Sequence, residues 1–236
     1  MNRALKFFLD LLLPIFCVGC KREGMHCCPG CFEKIPRLSA ALPELQTQLS
    51  APIAAPLSGA LPNQSPEIFY GSPFQEHSPL ADLIHRFKYD GAKEVGEILS
   101  SLMPPLSGSI TPEPDALKDS VLVPVPLHKK RENWRGFNQS KILAMHLSRK
   151  WRVPVCDLLV RHRFTKPQVG LTREKRLKNL HRAFSLKNSG APLNPFTRYF
   201  LVDDVCTTGT TMQECARVLK EHGATKVYGL VIAQAE

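Results

Sequence analysis

Leu201-Val202-Asp203-Asp204-Val205-Cys206-Thr207-Thr208-Gly209-Thr210-Thr211 joins an apolar run to two adjacent carboxylates and then to a loop of small, hydroxyl-bearing residues. Upstream, Tyr199 to Val202 is continuously apolar, the pattern of a strand buried on both faces of a parallel sheet. Downstream, Met212, Cys215, Ala216 and Leu219 fall at i, i+3, i+4 and i+7, which makes one apolar helix face. His222-Gly223 ends that helix, and Lys226 to Ala233 supplies a further buried strand. The segment therefore predicts an α/β fold, a parallel sheet flanked by helices. It sets the carboxylates and the loop at the carboxyl end of a strand.

Such a loop has a definite chemistry. Free amides at a helix N-terminus, with the positive end of the dipole, attract an anion, and small residues let a phosphate come close. Thr207, Thr208, Thr210 and Thr211 add hydroxyls around Gly209. Asp203 and Asp204 repel a phosphate; they suit the vicinal hydroxyls of a sugar or a hydrated magnesium ion. Together they describe the sugar and the phosphate of one ligand. A solvated turn, the acidic pocket of a phospho-accepting domain or a plain helix cap explains single parts of the pattern, but not its order. The chain lacks the Gly-Lys-Thr of a P-loop and the GxGxxG of a dinucleotide fold at this point.

The N-terminus carries a second constellation. Cys17-Val18-Gly19-Cys20 and Cys28-Pro29-Gly30-Cys31 are two CxxC pairs in a segment too short for an apolar core of its own. Four thiolates so spaced can close on one structural Zn²⁺, which would supply the folding energy that burial cannot. A disulfide pair is the alternative in an exported protein. Cys27, next to Cys28, could take its place as ligand. Cys156, Cys206 and Cys215 read as ordinary small residues in apolar patterns. Phe7 to Phe16 is interrupted by Asp10 and Pro14, and Phe16 is no small cleavage residue, so a leader peptide is not expected. No run reaches the roughly 20 apolar residues of a membrane span. Leu5, Phe8 and Leu12 suggest a short amphipathic helix instead.

Residues 36–79 hold eight prolines, which oppose both long helix and central strand and leave a linker with at most a short edge strand near Glu67 to Tyr70. Leu80, Leu83, Ile84 and Phe87 then form one helical face, and Val95, Ile98, Leu99 and Leu102 another. Val121 to Pro126 reads as a short buried strand ending in prolines. A basic loop, Leu127 to Gly136, precedes a helix from about Asn138 to Trp151. Val155 to Val160 offers a further strand, and Leu177, Leu180, His181 and Phe184 a further helix.

The 236-residue chain has a net charge of +10, unevenly spread. Between His128 and Lys187 stand 17 Lys and Arg against Glu132, Asp157 and Glu174, so this block draws polyanions while the remainder is net acidic.

These segments resemble one family. The two CxxC pairs, Phe87-Lys88-Tyr89, Val123 to Leu127, Arg135-Gly136-Phe137-Asn138-Gln139, Gln168 to Phe184 with Arg176 and Asn179, and Val202 to Thr211 look like the ComF proteins. Those join a zinc-ribbon-like N-terminus to a type I phosphoribosyltransferase domain. The resemblance implies an N-terminal helix and zinc-binding element over 1–35, a proline-rich linker over 36–79 and a phosphoribosyltransferase-like domain over 80–236. It implies that Asp203 and Asp204 hold the ribose hydroxyls of phosphoribosyl pyrophosphate (PRPP), brought with Mg²⁺, while Thr207, Thr208, Gly209, Thr210 and Thr211 wrap its 5-phosphate. Lys129, Arg131 and Arg135 become candidates for the pyrophosphate, and Gln168, Arg173 and Arg176 for a lid. Relatives with a further cysteine pair before the first helix have no counterpart in residues 36–79, so a second zinc site is not expected.

The family role implied is natural competence, the uptake of DNA for transformation, in the cytoplasm beside a DNA translocase or helicase. Two functions stay open on the residues. One is transfer of phosphoribose to an acceptor for which the chain shows no recognisable base-reading hood. The other is a non-catalytic adaptor that senses PRPP and grips single-stranded DNA and a partner, with Trp134, Phe137 and Trp151 available for stacking.

Overall fold

The structure, a computed structural model, describes residues 14–37, 66–104, 117–164, 182–188 and 192–235. Its centre is a four-stranded sheet of β1 (Glu67–Pro73), β2 (Ser120–Pro124), β5 (Arg198–Cys206) and β6 (Lys226–Gln234), in the order β1-β6-β5-β2 and parallel throughout. A two-stranded antiparallel sheet of β3 (Leu159–Arg161) and β4 (Phe184–Leu186) stands apart. Six helices are described: α1 (Pro29–Phe32), α2 (Pro79–Tyr89), α3 (Val95–Ser100), α4 (Lys129–Arg135), α5 (Gln139–Trp151) and α6 (Thr210–Glu221).

The sheet is buried on both faces, and β5 shows why its sequence is continuously apolar. Phe200 and Val202 join a core with Leu83 and Phe87 of α2, Leu99 of α3 and Leu143 of α5. Tyr199 and Leu201 join a second core with Met212, Cys215 and Leu219 of α6 and with Leu159 and Phe184 of the small sheet. Strand alternation sends successive residues to opposite sides, so each side needs its own apolar partners. Helix starts follow local chemistry. Ser78 Oγ accepts from the Ala81 N–H at 3.2 Å before Pro79, and Asn138 Oδ1 accepts from the Ser140 N–H at 3.0 Å.

Register positions the site. Pro124 of β2 lies level with Val202, and there the pairing of these two strands ends. β5 and β6 run on to Cys206 and Gln234. Pro124 and Pro126 have no N–H to donate, so a β2 ladder cannot continue. The Val125 N–H makes the last contact, to Val202 O at 3.0 Å. Past this point one flank of β5 is open, and Asp203 and Asp204 stand beside it.

Four expectations change in the structure. The strand does not end at the carboxylates; it carries them and stops two residues later, at Cys206. The basic stretch 127–136 is not a loop throughout: His128 Nδ1 accepts from the Lys130 N–H at 3.1 Å and starts α4, and Gly136 closes it. Phe184 belongs to strand β4 rather than to a helix, while Leu177, Leu180 and His181 lie outside the described residues. The edge strand near Glu67 to Tyr70 extends through Pro73 and pairs with β6, so the proline-rich stretch supplies one edge of the main sheet. The segment with Leu5, Phe8 and Leu12 is also outside the described residues. Among the described residues no helix is long and apolar enough to cross a membrane.

Candidate functional site

A cavity of about 310 Å³ opens where β5 outruns β2. Residues 203–212 line it as one continuous stretch, which brings together Asp203, Asp204, Thr207, Thr208, Gly209, Thr210 and Thr211. Gly209 has φ 71° and forms the N-cap of α6, a backbone region that side chains with a Cβ rarely adopt. This turn aims the first amides of a twelve-residue helix at the cavity. Thr208 Oγ1 and Thr210 Oγ1 lie 2.9 Å apart across the turn.

The carboxylates are held by elements remote in sequence. Ser140 Oγ, in the first turn of α5, donates to Asp203 Oδ1 at 2.8 Å. Asn138, which caps that helix, also donates from Nδ2 to Val125 O at 3.1 Å, so the end of β2 and the start of α5 are tied together. Lys88, near the end of α2, places Nζ 3.1 Å from Asp204 Oδ1, which also accepts from the Val205 N–H at 2.7 Å. Asp204 is 3% exposed, and its Oδ2 is buried without a hydrogen-bond partner. Gln139, at the same cavity, likewise keeps Oε1 buried and unpartnered. Unpaired acceptors in a polar cavity are costly unless something donates to them. A sugar's hydroxyls are donors of the right kind.

Burial, and then the charge of Asp204, push the Asp203 carboxyl up to about 7, against the opposing hydrogen bonds from Ser140 and the Asp204 N–H and the pull of Lys88. Arg161 of β3 and Arg131 of α4 also line the cavity. Burial lowers both guanidinium pKa values; the charge of Arg131 lowers that of Arg161 further, and Arg135 does the same to Arg131. The lining therefore offers cations that attract an anion as well as carboxylates that accept from donors.

Of the cations singled out from the sequence, Arg131 lines the cavity, while Lys129 and Arg135 share its helix outside that lining. Gln168, Arg173 and Arg176 lie outside the described residues. Sequence reasoning passed over Lys88, Gln139, Ser140 and Arg161 as site residues. Lys88 and Gln139 stand in the motifs Phe87-Lys88-Tyr89 and Arg135 to Gln139, which marked the family without giving these two side chains a role, and Ser140 and Arg161 carried no local signal.

The cysteine element also meets the last turn of α2, through Arg86. The Sγ atoms of Cys17, Cys20, Cys28 and Cys31 all lie within 4.8 Å of one another. A tetrahedral zinc with bonds of about 2.3 Å needs sulfurs about 3.8 Å apart, and Cys20 and Cys28 are at 3.6 Å. The Cys28 N–H points at Cys17 Sγ at 3.3 Å. Burial raises the Cys17 thiol, but amides from Cys20, Cys28 and Gly19 outweigh it and bring the pKa down to about 6. A Cβ on Gly19 would sit 2.6 Å from Cys31 Sγ, so only glycine lets the two CxxC turns close. The donor set, the spacing and the thiolate-favouring amides are all compatible with a structural zinc. Cys27 Sγ instead contacts Cys28 O at 3.7 Å and is not in the four-sulfur cluster, so it does not replace Cys28. The element is anchored by Val18 and Ile35 in the first core, and Arg86 of α2 donates to Phe16 O at 2.6 Å.

Comparison with known proteins agrees with this architecture. The phosphoribosyl transferase domain family matches residues 138–235. The chain is 35% identical to competence protein F of Haemophilus influenzae over 66% of this chain and 69% of that protein. It is 30% identical to DNA utilization protein YhgH of Salmonella typhimurium over 89% of this chain and 85% of that one. Competence protein ComFC of Bacillus subtilis is 33% identical over 61% of this chain, which spans just over half, 55%, of its length. With a four-cysteine element ahead of a phosphoribosyltransferase domain, and this identity over more than two thirds of a competence protein, the chain belongs to the ComF family.

Proposed function

We propose that the cavity binds PRPP with Mg²⁺ and that the protein serves DNA uptake in natural competence, in the cytoplasm beside a DNA translocase. The observation that carries the reading is the pairing, in one cavity, of a buried carboxylate oxygen lacking a donor with the N-terminus of α6. Asp204 Oδ2 and Asp203 would accept from the ribose hydroxyls, and the 207–211 turn would take the 5-phosphate. Arg131 and Arg161 would face the pyrophosphate, with Mg²⁺ neutralising its charge. The competence role is supported by the names of the relatives.

If the site is catalytic, the bond from C1 to pyrophosphate breaks as a bond from C1 to the acceptor nucleophile forms, and pyrophosphate leaves with the electron pair. Positioning and cations supply most of what that displacement needs. A non-catalytic sensor would use the same contacts. The second reading, an adaptor for single-stranded DNA and a partner, is favoured by the exposed basic surface beside the cavity. The cysteine element would hold a structural zinc, since four protein sulfurs leave no position for a reacting water.

Calorimetry with PRPP and Mg²⁺, on the wild type and on the double variant Asp203→Asn/Asp204→Asn, tests the binding. Turnover with a panel of nucleobases and amines as acceptors separates enzyme from sensor.

A further inference from the structure

Helix α4 buries none of its seven residues. A surface helix normally earns its place by packing an apolar stripe, and α4 has none to pack. What it carries is Lys129, Lys130, Arg131 and Arg135 against the single acid Glu132, with Trp134 between.

Aromatic rings gather on both sides of it. Seven large hydrophobic side chains are exposed among the described residues, and three of them, Tyr89, Trp134 and Phe164, stand around this one helix. Trp134 is 71% exposed and meets Tyr89 edge to face at 6.1 Å. Arg135 lies over the Tyr89 ring at 5.4 Å. On the other side Lys130 and Arg131 lie 5.6 and 5.7 Å from the Phe164 ring. Two of the three rings, Tyr89 and Phe164, have cations beside them, Trp134 adjoins Tyr89, and the exposed large hydrophobics of the described residues include no Leu or Ile. Arg131 also lines the cavity, so the surface and the cavity mouth are continuous.

We infer that α4 and its flanking rings form a stacking surface for single-stranded nucleic acid that runs up to the mouth of the cavity. Unstacked bases lie on Tyr89, Trp134 and Phe164, and phosphates meet the lysines and arginines between them. Rings beside guanidinium and ammonium groups fit a polymer that alternates flat faces with negative charges. A duplex hides its base faces, so the strand must be single. Rings and arginines also serve protein interfaces, but a strand of bases and phosphates matches rings and cations together, and a protein partner in its place is the outcome in which the two strands of the test bind alike. The surface deepens the DNA-uptake part of the proposed function and does not depend on PRPP binding.

The test compares two labelled single strands of equal length, an oligothymidylate of about 20 nucleotides and its abasic counterpart, binding the full chain at low salt without PRPP. The two strands share phosphates and differ only in bases. The expected result is about tenfold or more tighter binding of the oligothymidylate, with quenching of tryptophan emission, since Trp151 is buried and Trp134 is not. Tyr89→Ala/Trp134→Ala should lower that affinity to the abasic level. Equal affinity of the two wild-type strands, or a folded double variant that keeps the preference, overturns the proposal. Quenching by a duplex equal to that by the single strand does so too. Because no PRPP is present, each of these outcomes leaves the cavity's own ligand a separate question.

Discussion

Lys88 Nζ stands 3.1 Å from Asp204 Oδ1, and this contact joins the end of α2 to the carboxyl end of β5. The two side chains are 20% and 5% exposed, so the pair is largely withdrawn from water. It fixes one oxygen of Asp204 and leaves the other, Oδ2, buried without a donor. The same helix holds the cysteine element through Arg86.

Breaking that pair leaves a buried carboxylate uncompensated. Lys88→Met should destabilise the fold by about 3 kcal/mol and weaken PRPP binding. Lys88→Met/Asp204→Asn, which removes both charges, should recover much of the stability but none of the binding. Urea denaturation of the two variants measures the first effect and calorimetry the second.

Asp203 gives a pH dependence with a definite sign. Its pKa is raised from 3.8 to about 7 by burial and by Asp204. Between those values the folded state holds a proton that the unfolded chain has released, so stability falls as pH rises through the window. Asp203→Asn should flatten this slope in denaturation midpoints measured between about pH 4 and 7. Sugar hydroxyls prefer the ionised acceptor, so PRPP affinity of the wild type should rise as pH passes through 7.

Gly209→Ala forces a Cβ into a left-handed turn at φ 71°. The strain is about 1 kcal/mol, and the methyl group itself meets nothing closer than 3.8 Å. A small loss of melting temperature should therefore accompany a larger loss of PRPP affinity, because the turn that aims the α6 amides is disturbed. Thermal melts and calorimetry on one preparation separate the two.

For the cysteine element, elemental analysis of the wild type should find about one zinc per chain. Cys17→Ser and Cys31→Ser should lose it. Gly19→Ala should weaken it without removing a ligand, since the new Cβ would meet Cys31 Sγ at 2.6 Å.

How much of this could be read in advance follows from where each signal lies. The β5-α6-β6 unit was legible because its strands are buried on both faces and α6 has one apolar face, so periodicity alone separates them. The four cysteines were legible from spacing. Lys88, Ser140 and Arg161 were not, because each comes from a different element and only the tertiary fold brings it to Asp203 or the cavity. Helix α4 was missed for a physical reason: it buries nothing, so it has no apolar period to find. β4 was misread because Phe184 and Leu186 alternate over only three residues, too few to outweigh a helical spacing that ran back through Leu177 and Leu180.

The most direct test of the central claim is titration of PRPP with Mg²⁺ into the wild type and into Asp203→Asn/Asp204→Asn by calorimetry. Saturable binding near one equivalent by the wild type, lost in a double variant that still unfolds cooperatively, is the result predicted here. Equal affinity of the two proteins, or no heat from the wild type, would contradict it.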